Sequence, residues 1–450
     1  MGETAALAAY TVSTEYEDIP TETVDYAKKG IRDYLGVAVY GSHHEVGDQI
    51  MGYVDRCMSG EESTVIGRGT ASPTGAALAN GAFGHAIDYD DTFESIVIHP
   101  SSPVFGATLA AGEVADADGK ALITAYTVGC EAAFRVGHSQ YPNHYQNGWH
   151  STGTAGSFGA AAAAAHLLDL SVDQTVAAFG IVASGSSALK KNFGTMTKPL
   201  HAGHAAEIGV RSALLAEEGF TADDAILEGK IGYGEVMTTD GSYDPTEITE
   251  GLGEEWAVLD LGFKPHPSGV ITHAAMDALR TLVIDHDLTP DSVDSITVAL
   301  DDAASEMLHH ADPGDALQAK FSIEFCLAAI LRERKAGIHE FTDEYVTQPE
   351  TKEVIAKIDR SFEETLFDAH YASYGARVTV ETADGETLVK EVKHHPGSPN
   401  NPVSEDRLQA KFDECVRTVL SADETAGLAD VIDSLEIDGS ADDLIDLLRP

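Results

Sequence analysis

Positive charge is what this chain of 450 residues has least of: 28 Lys and Arg stand against 74 Asp and Glu, a formal net charge of −46. At low ionic strength so much like charge repels itself and opposes the compact state. Molar salt removes the difficulty, because the Debye length shrinks to about 3 Å at 1 M. The acids are spread along the chain rather than gathered in a tail, so the composition points to a salt-rich cytosol, as in halophiles. It also argues against nucleic acid and anionic membrane as partners.

Cysteine is scarce as well. Cys57, Cys130, Cys326 and Cys415 lie far apart with no CxxC or metal spacing, which excludes a disulfide scaffold and reads as four small, reduced core residues. No apolar run approaches the length of a membrane span. The opening MGETAALAAYTVSTEYEDIP has an early acid and no basic region before its short apolar run, unlike a secretory signal. The expectation is a soluble, cytoplasmic protein.

What the chain does have is length and Ala. At 450 residues it exceeds the size at which one core stops growing, so two domains are expected. Only 7% of residues are aromatic, so Ala and Gly must fill the interior, which suits closely packed helices. From Thr21, the positions Val24, Ala27, Ile31, Leu35 and Val39 recur at helical spacing. Helical signals continue through SPTGAALANGAFGHAI, SPVFGATLAAGEVADA, ALITAYTVGCEAAFRVG and GSFGAAAAAAHLLDL. After about Gly232 the chain turns acidic and weakly periodic, as a loop does. VDSITVAL then alternates like a strand, and ARVTVETADGETLVKEV places an Asp384-Gly385 turn between two β-forming runs. Ser404 is placed to cap a further helix with Leu408, Phe412 and Val416 on one face. The expected fold is mainly α, with a smaller α/β (α+β) lid: a helical domain over 1–262, completed by 396–450, and a lid over 263–395.

Four segments could carry chemistry. HAIDYDDTFESIVIHPSSPVF holds Asp88, Asp90, Asp91 and Glu94, followed by His99. Clustered carboxylates suit a divalent metal, a carboxylate near a His suits proton transfer, and a solvated acidic turn is the plain alternative. Ser101 and Ser102 would there cap the next helix. In GWHSTGTAGSFGAAAAAA, His150 precedes a Ser, Thr and Gly run without the spacing of a nucleotide-binding loop.

KKNFGTMTKPLHAGH concentrates Lys190, Lys191, Lys198, His201 and His204 in a chain short of cations. Lys198 precedes Pro199, which favours an extended or turn backbone there. A sheltered Lys binds a carboxylate through a charge-assisted hydrogen bond, so the cluster anticipates an anion. Last, FKPHPSGVITHAAMDA carries Lys264, with His266 as a surface loop residue and His273 opening a helix.

Taken in order, these segments resemble the MmgE/PrpD family, which includes 2-methylcitrate dehydratase, cis-aconitate decarboxylase and iminodisuccinate epimerase. The resemblance implies a helical domain, an α/β lid, a homodimer and no required metal or organic cofactor. Asp88 and Thr92 match the D-[YF]-D-D-T motif, His99 the His before Pro-Ser, His150 the G-[FW]-H-S-T-G motif, Lys198 and His201 the T-K-P-L-H motif, and Lys264 the lid-loop Lys. On this resemblance His99 moves a proton, with Asp88, Thr92 and His150 as catalytic partners. Lys198, His201 and Lys264 bind substrate carboxylates.

The implied activity is that of a lyase on a small di- or tricarboxylate, by dehydration or decarboxylation. Alternatives are an epimerase or isomerase on the same fold, or a carboxylate-binding protein without turnover. Gly269 and Val270 depart from the family, where relatives often place a His or Arg; Lys190, Lys191 or Asn192 could supply the missing contact.

Overall fold

The Thr21–Ser42 helix buries Val24, Ala27, Ile31, Leu35 and Val39, the stripe its periodicity demands. In this computed structural model residues 2–449 are described, apart from 94, 240, 303–306, 364–365, 368–373 and 438–439. The helices Pro73–Gly84, Ser101–Val114, Gly119–His138, Ser151–Leu167 and Thr197–Glu217 pack against one another, and Ala and Gly set how closely. A Cβ at Gly129 would lie 2.8 Å from Gly159 O, and one at Gly159 would lie 2.5 Å from Gly129 O. Any larger residue at either position would push these two helices apart.

The mixed part is built on one four-stranded sheet, in the order Ile358–Glu363, Val293–Asp301, Ala376–Thr382, Thr387–Val392. The first pair is parallel and the others antiparallel. The last two strands form the hairpin read from Asp384-Gly385, with Gly385 at φ 87°, where its missing Cβ matters. The helices His273–Asp285 and Ile323–Glu333 contact the sheet. The architecture is therefore mainly α with a smaller α/β part.

Two large apolar cores follow the same division of the chain. One gathers Leu7 to Phe263 and Phe412 to Leu448; the second gathers Val270 to Leu388, joined by Val97, Tyr145 and Phe193 from the helical part. Those three residues mark where the two parts meet. Ser404 caps the Glu405–Val416 helix, accepting from Arg407 N at 3.4 Å. Cys130, Cys326 and Cys415 are buried, but Cys57 is exposed, because it ends the Glu45–Cys57 helix on its outer face. No helix among the described residues is long and apolar enough to cross a membrane.

Candidate active site

A short antiparallel pair, Thr92–Phe93 against Leu261–Gly262, brings the acidic segment beside the loop that carries Lys264. Thr92 contributes the backbone of that pairing, and its hydroxyl donates to Phe93 O at 3.3 Å. Asp88, at φ 57°, sits in the left-handed region between the Pro73–Gly84 helix and the strand. Val97, on the other side of the strand, shares that φ of 57°. Such backbone costs about 1–2 kcal/mol at a β-branched residue and is characteristic of sites that over-determine their geometry.

Asp88 is the hub. Lys264 Nζ donates to its Oδ1 at 2.5 Å and to its backbone O at 3.1 Å. Lys198 Nζ stands 2.8 Å from the same Oδ1, without an aligned hydrogen bond. All three side chains are buried. Desolvation alone would raise the pKa of Asp88, but the charges of Lys198 and Lys264 outweigh it and hold the carboxyl well below the usual range. Burial lowers the pKa of Lys198 while Asp88 opposes the shift.

Asp90 and Asp91 are buried too, so the solvated-turn reading of this segment is corrected for them. Ser102 Oγ donates to Asp90 at 2.6 Å, and Asp90 also accepts from His85 Nδ1 at 2.8 Å. Ser101 Oγ donates to Asp91 and lies 2.5 Å from Tyr126 OH. The two serines therefore satisfy carboxylates instead of capping the helix, whose N-cap is Pro100. Burial, with the charge of Asp33 adding to it, pushes the Asp91 carboxyl well above its usual range. Glu94 lies outside the described residues.

Three histidines face the hub. His99 Nδ1 lies 2.8 Å from Asp91 O, a carbonyl that can only accept, so Nδ1 carries the proton and Nε2 keeps its lone pair. The His99 backbone N–H donates to Thr152 Oγ1 at 3.0 Å, tying it to the GWHSTG segment. His150, the N-cap residue of the Ser151–Leu167 helix, has Nδ1 3.0 Å from His201 Nδ1. His85 lies between them, with ring centroids 4.9 Å from His99 and 5.7 Å from His150. Burial, reinforced by Lys264 and Lys198, holds His99 well below its ordinary pKa. Burial and the neighbouring His201 do the same to His150. The pKa of His201 falls to about 4, through burial and then His85.

Lys198 lies in the first turn of the Thr197–Glu217 helix, not in an extended segment, because a proline within the first turn costs no intrahelical hydrogen bond. From that turn Lys198 lines the cleft, and His201 contacts His150. His204, one turn on, instead lies 3.6 Å from Glu207 with a half-exposed side chain. Lys191 is exposed, and Lys190 Nζ sits 4.0 Å from the Tyr145 ring centroid. His266 is buried, its Nδ1 2.7 Å from Ala336 O, so its placement as a surface residue is corrected: that carbonyl draws the ring inward.

Asp88, His99, His150 and Lys198 open onto a cleft of about 30 Å³. Its remaining wall is largely apolar, with Val97, Phe193, Val270, Ile271, Met307 and Phe321. Lys198 Nζ lies 5.3 Å and 5.4 Å from the ring centroids of Phe193 and Phe321. That volume holds one or two waters. His85 with His99 and His150, or with Asp88 and Asp90, also places possible metal-ligand atoms within 4.8 Å of one another. A cation there would compete with the two ammonium groups already held by Asp88.

Sequence reasoning left out His85 and the aromatic pair Phe193 and Phe321. His85 is five residues from its partner Asp90, a spacing that matches no recurring motif.

This constellation of a carboxylate, two lysines and a histidine cluster at the junction of a helical and a mixed part defines a class of enzyme-like folds, and the comparisons give its family. Residues 5–246 match the MmgE/PrpD N-terminal domain and residues 266–437 the MmgE/PrpD C-terminal domain. The chain belongs to the MmgE/PrpD family. It is 28% identical over 429 residues to a cis-aconitate decarboxylase of Mus musculus, covering 91% of this chain and 86% of that protein. It is 27% identical to the Homo sapiens cis-aconitate decarboxylase, covering 92% of this chain and 87% of the human one. A cis-aconitate decarboxylase of Aspergillus terreus is 26% identical, with 100% of this chain and 96% of that protein covered.

Proposed function

We propose that this protein is a lyase that acts on a small di- or tricarboxylate, by decarboxylation or dehydration, without an organic cofactor. The observation that carries the reading is that Lys198 Nζ, 2.8 Å from Asp88 Oδ1, lines the cleft beside Asp88 Oδ2 and His150 Nε2, two buried polar atoms with no hydrogen-bond partner among the described residues. Buried polar atoms are almost always paired, so this set awaits a polar ligand. The ammonium of Lys198 selects an anion, and a carboxylate there would accept from it. The names of the relatives favour loss of carbon dioxide, with cis-aconitate as the first acid to test.

In decarboxylation the bond from carbon to the departing carboxylate breaks, and its electron pair stays on the substrate as an enolate-like anion. Lys198, with Lys264 behind it on Asp88, stabilises that charge in a site shielded from water. A proton must then be delivered to carbon. His99, whose proton affinity burial and the two lysines lower, gains it back when an anion binds beside it, because the negative charge offsets the lysines. Dehydration would use the same groups in the other direction: His99 Nε2 removes the proton next to the carboxylate before hydroxide leaves.

His150 and His201 form the second proton-carrying pair, Thr92 holds the strand that orients Asp88, and His201 adds a donor for the substrate. Residues 263–395 serve as the lid over a body made of 1–262 and 396–450. The protein works as a homodimer in a salt-rich cytoplasm, a reading supported by the family resemblance and the dispersed acids.

The apolar wall supports a second reading. With Lys198 as the cation lining the cleft and Gly269 and Val270 beside it, a dicarboxylate is matched better than a tricarboxylate, which suits an epimerase or isomerase. Incubation with cis-aconitate, citrate, 2-methylcitrate and smaller diacids in molar KCl and D2O, followed by mass spectrometry, separates these. A product lighter by carbon dioxide or water supports the lyase. Deuterium uptake without mass loss supports the epimerase, and binding without either outcome supports a binding protein.

A further inference from the structure

A second, larger cavity of about 370 Å³ opens on the other side of the Lys264 loop, and it shares no lining residue with the cleft at Asp88. Arg407, from the Glu405–Val416 helix, faces it from the helical part; Arg280, from the His273–Asp285 helix, and Lys335 face it from the mixed part. Glu414 is the only acid on its wall among the described residues, in a chain where acids outnumber bases 74 to 28.

The two guanidinium groups are the unusual feature. Most other arginines meet carboxylates, as Arg68 does Asp48 at 2.5 Å and Arg417 does Asp413 at 2.7 Å. Arg280 instead donates from Nε to Arg334 O at 3.1 Å, and Arg407 from Nη2 to Pro265 O at 3.3 Å. Among the described residues neither has a carboxylate at ion-pair distance. Arg407 is held below its ordinary pKa, by burial first and with Arg280 adding to it, while Tyr89, Asp277 and Glu414 oppose the shift, so the two guanidinium groups lie near each other with Asp277 acting on both. Most donors of both forks are thus left to the cavity, and such forks match the oxygens of carboxylate or phosphate in pairs.

We propose that this cavity binds a small multivalent oxyanion, a phosphate or a polycarboxylate, gripped by Arg280 on one side and Arg407 on the other. The volume falls within the range of small-molecule pockets. The ligand would tie the mixed part to the helical part beside Pro265, whose carbonyl accepts from Arg407 and from Tyr89 OH at 3.2 Å. It would therefore steady the loop that delivers Lys264 to Asp88.

The test is titration calorimetry with pyrophosphate and with citrate in molar KCl, on the wild type, on Lys198→Met to disable the cleft, and on Arg280→Gln/Arg407→Gln. Saturable one-site binding of pyrophosphate is expected in the wild type, and of both probes in Lys198→Met, where the cleft is disabled; in the double variant the pyrophosphate affinity is weakened at least about tenfold, the loss expected for charge-assisted hydrogen bonds. Tighter binding of one probe names the source, phosphate or carboxylate. Absence of saturable binding of both probes to the wild type overturns the proposal. So does an unchanged affinity in the double variant, or binding abolished by Lys198→Met alone. If the double variant does not fold, Arg407→Lys, which keeps the charge and loses the fork, replaces it with the same expected weakening.

Discussion

Lys264 Nζ and Asp88 Oδ1 lie 2.5 Å apart although 176 residues separate them in the chain, and both side chains are buried. A second ammonium, Lys198, stands 2.8 Å from the same oxygen. One carboxylate oxygen thus contacts two buried ammonium groups, with the buried Asp90 carboxylate acting on both.

Asp88→Asn removes the charge of the contacting carboxylate. Leaving a buried charge unpartnered costs about 3–5 kcal/mol, so the melting temperature should fall clearly and turnover should be lost. Thermal unfolding and an activity assay check both. A variant with wild-type stability would show that Asp88 does not hold the lysines together.

His99→Gln keeps a donor for Asp91 O but removes the free Nε2. We expect kcat to fall about 10²–10⁴-fold with a smaller change in KM, as for a lost general acid or base. Steady-state kinetics decide; full turnover would assign the proton to His150 or another group.

The buried histidines predict a pH dependence of stability. His201 and His266 have pKa values lowered to about 4 and about 3, in both cases by burial first. Unfolding frees them to bind protons at about pH 6.5, so the unfolded state holds more protons between pH 6.5 and those values. Their contribution is complete above pH 6.5 and lost as the pH falls through the window, at up to about 1.4 kcal/mol per pH unit for each histidine. Denaturant titrations from pH 7 to pH 4 should show falling stability; a flat profile contradicts neutral buried rings.

Salt should stabilise the protein. With a net charge of −46, removing KCl lengthens the Debye length from about 3 Å at 1 M to about 10 Å at 0.1 M and exposes the acids to one another. Melting temperatures measured across that range should decline with dilution, and no decline would exclude the halophilic reading.

Gly269→Ala tests the cleft. A Cβ there would lie 3.4 Å from Phe321 Cε1 and 3.6 Å from Lys320 O, so the variant should fold with little loss of stability. It narrows a cleft of about 30 Å³, so KM for the substrate should rise. An unchanged KM would place the substrate away from this wall.

Local features were legible in the sequence because they depend on neighbours along the chain. The stripe from Val24 to Val39, the Asp384-Gly385 hairpin and the Ser404 cap each follow from spacing over a few residues, and each is present. The family motifs named Asp88, His99, His150, Lys198, His201 and Lys264, which lie within one neighbourhood. Spacing could not say that Ser101 and Ser102 satisfy Asp91 and Asp90, that His266 is drawn inward to Ala336 O, or that Cys57 faces solvent.

By itself, then, the sequence determined the helical and strand segments, the shortage of positive charge and the residue types of the buried lysine, histidine and carboxylate cluster. Tertiary structure alone decided which of its cations are already neutralised and which remain available, because that depends on distances between segments up to 176 residues apart. Burial shifted the proton affinities as well: the same imidazole or carboxyl titrates differently once water is replaced by packed side chains and a neighbouring charge.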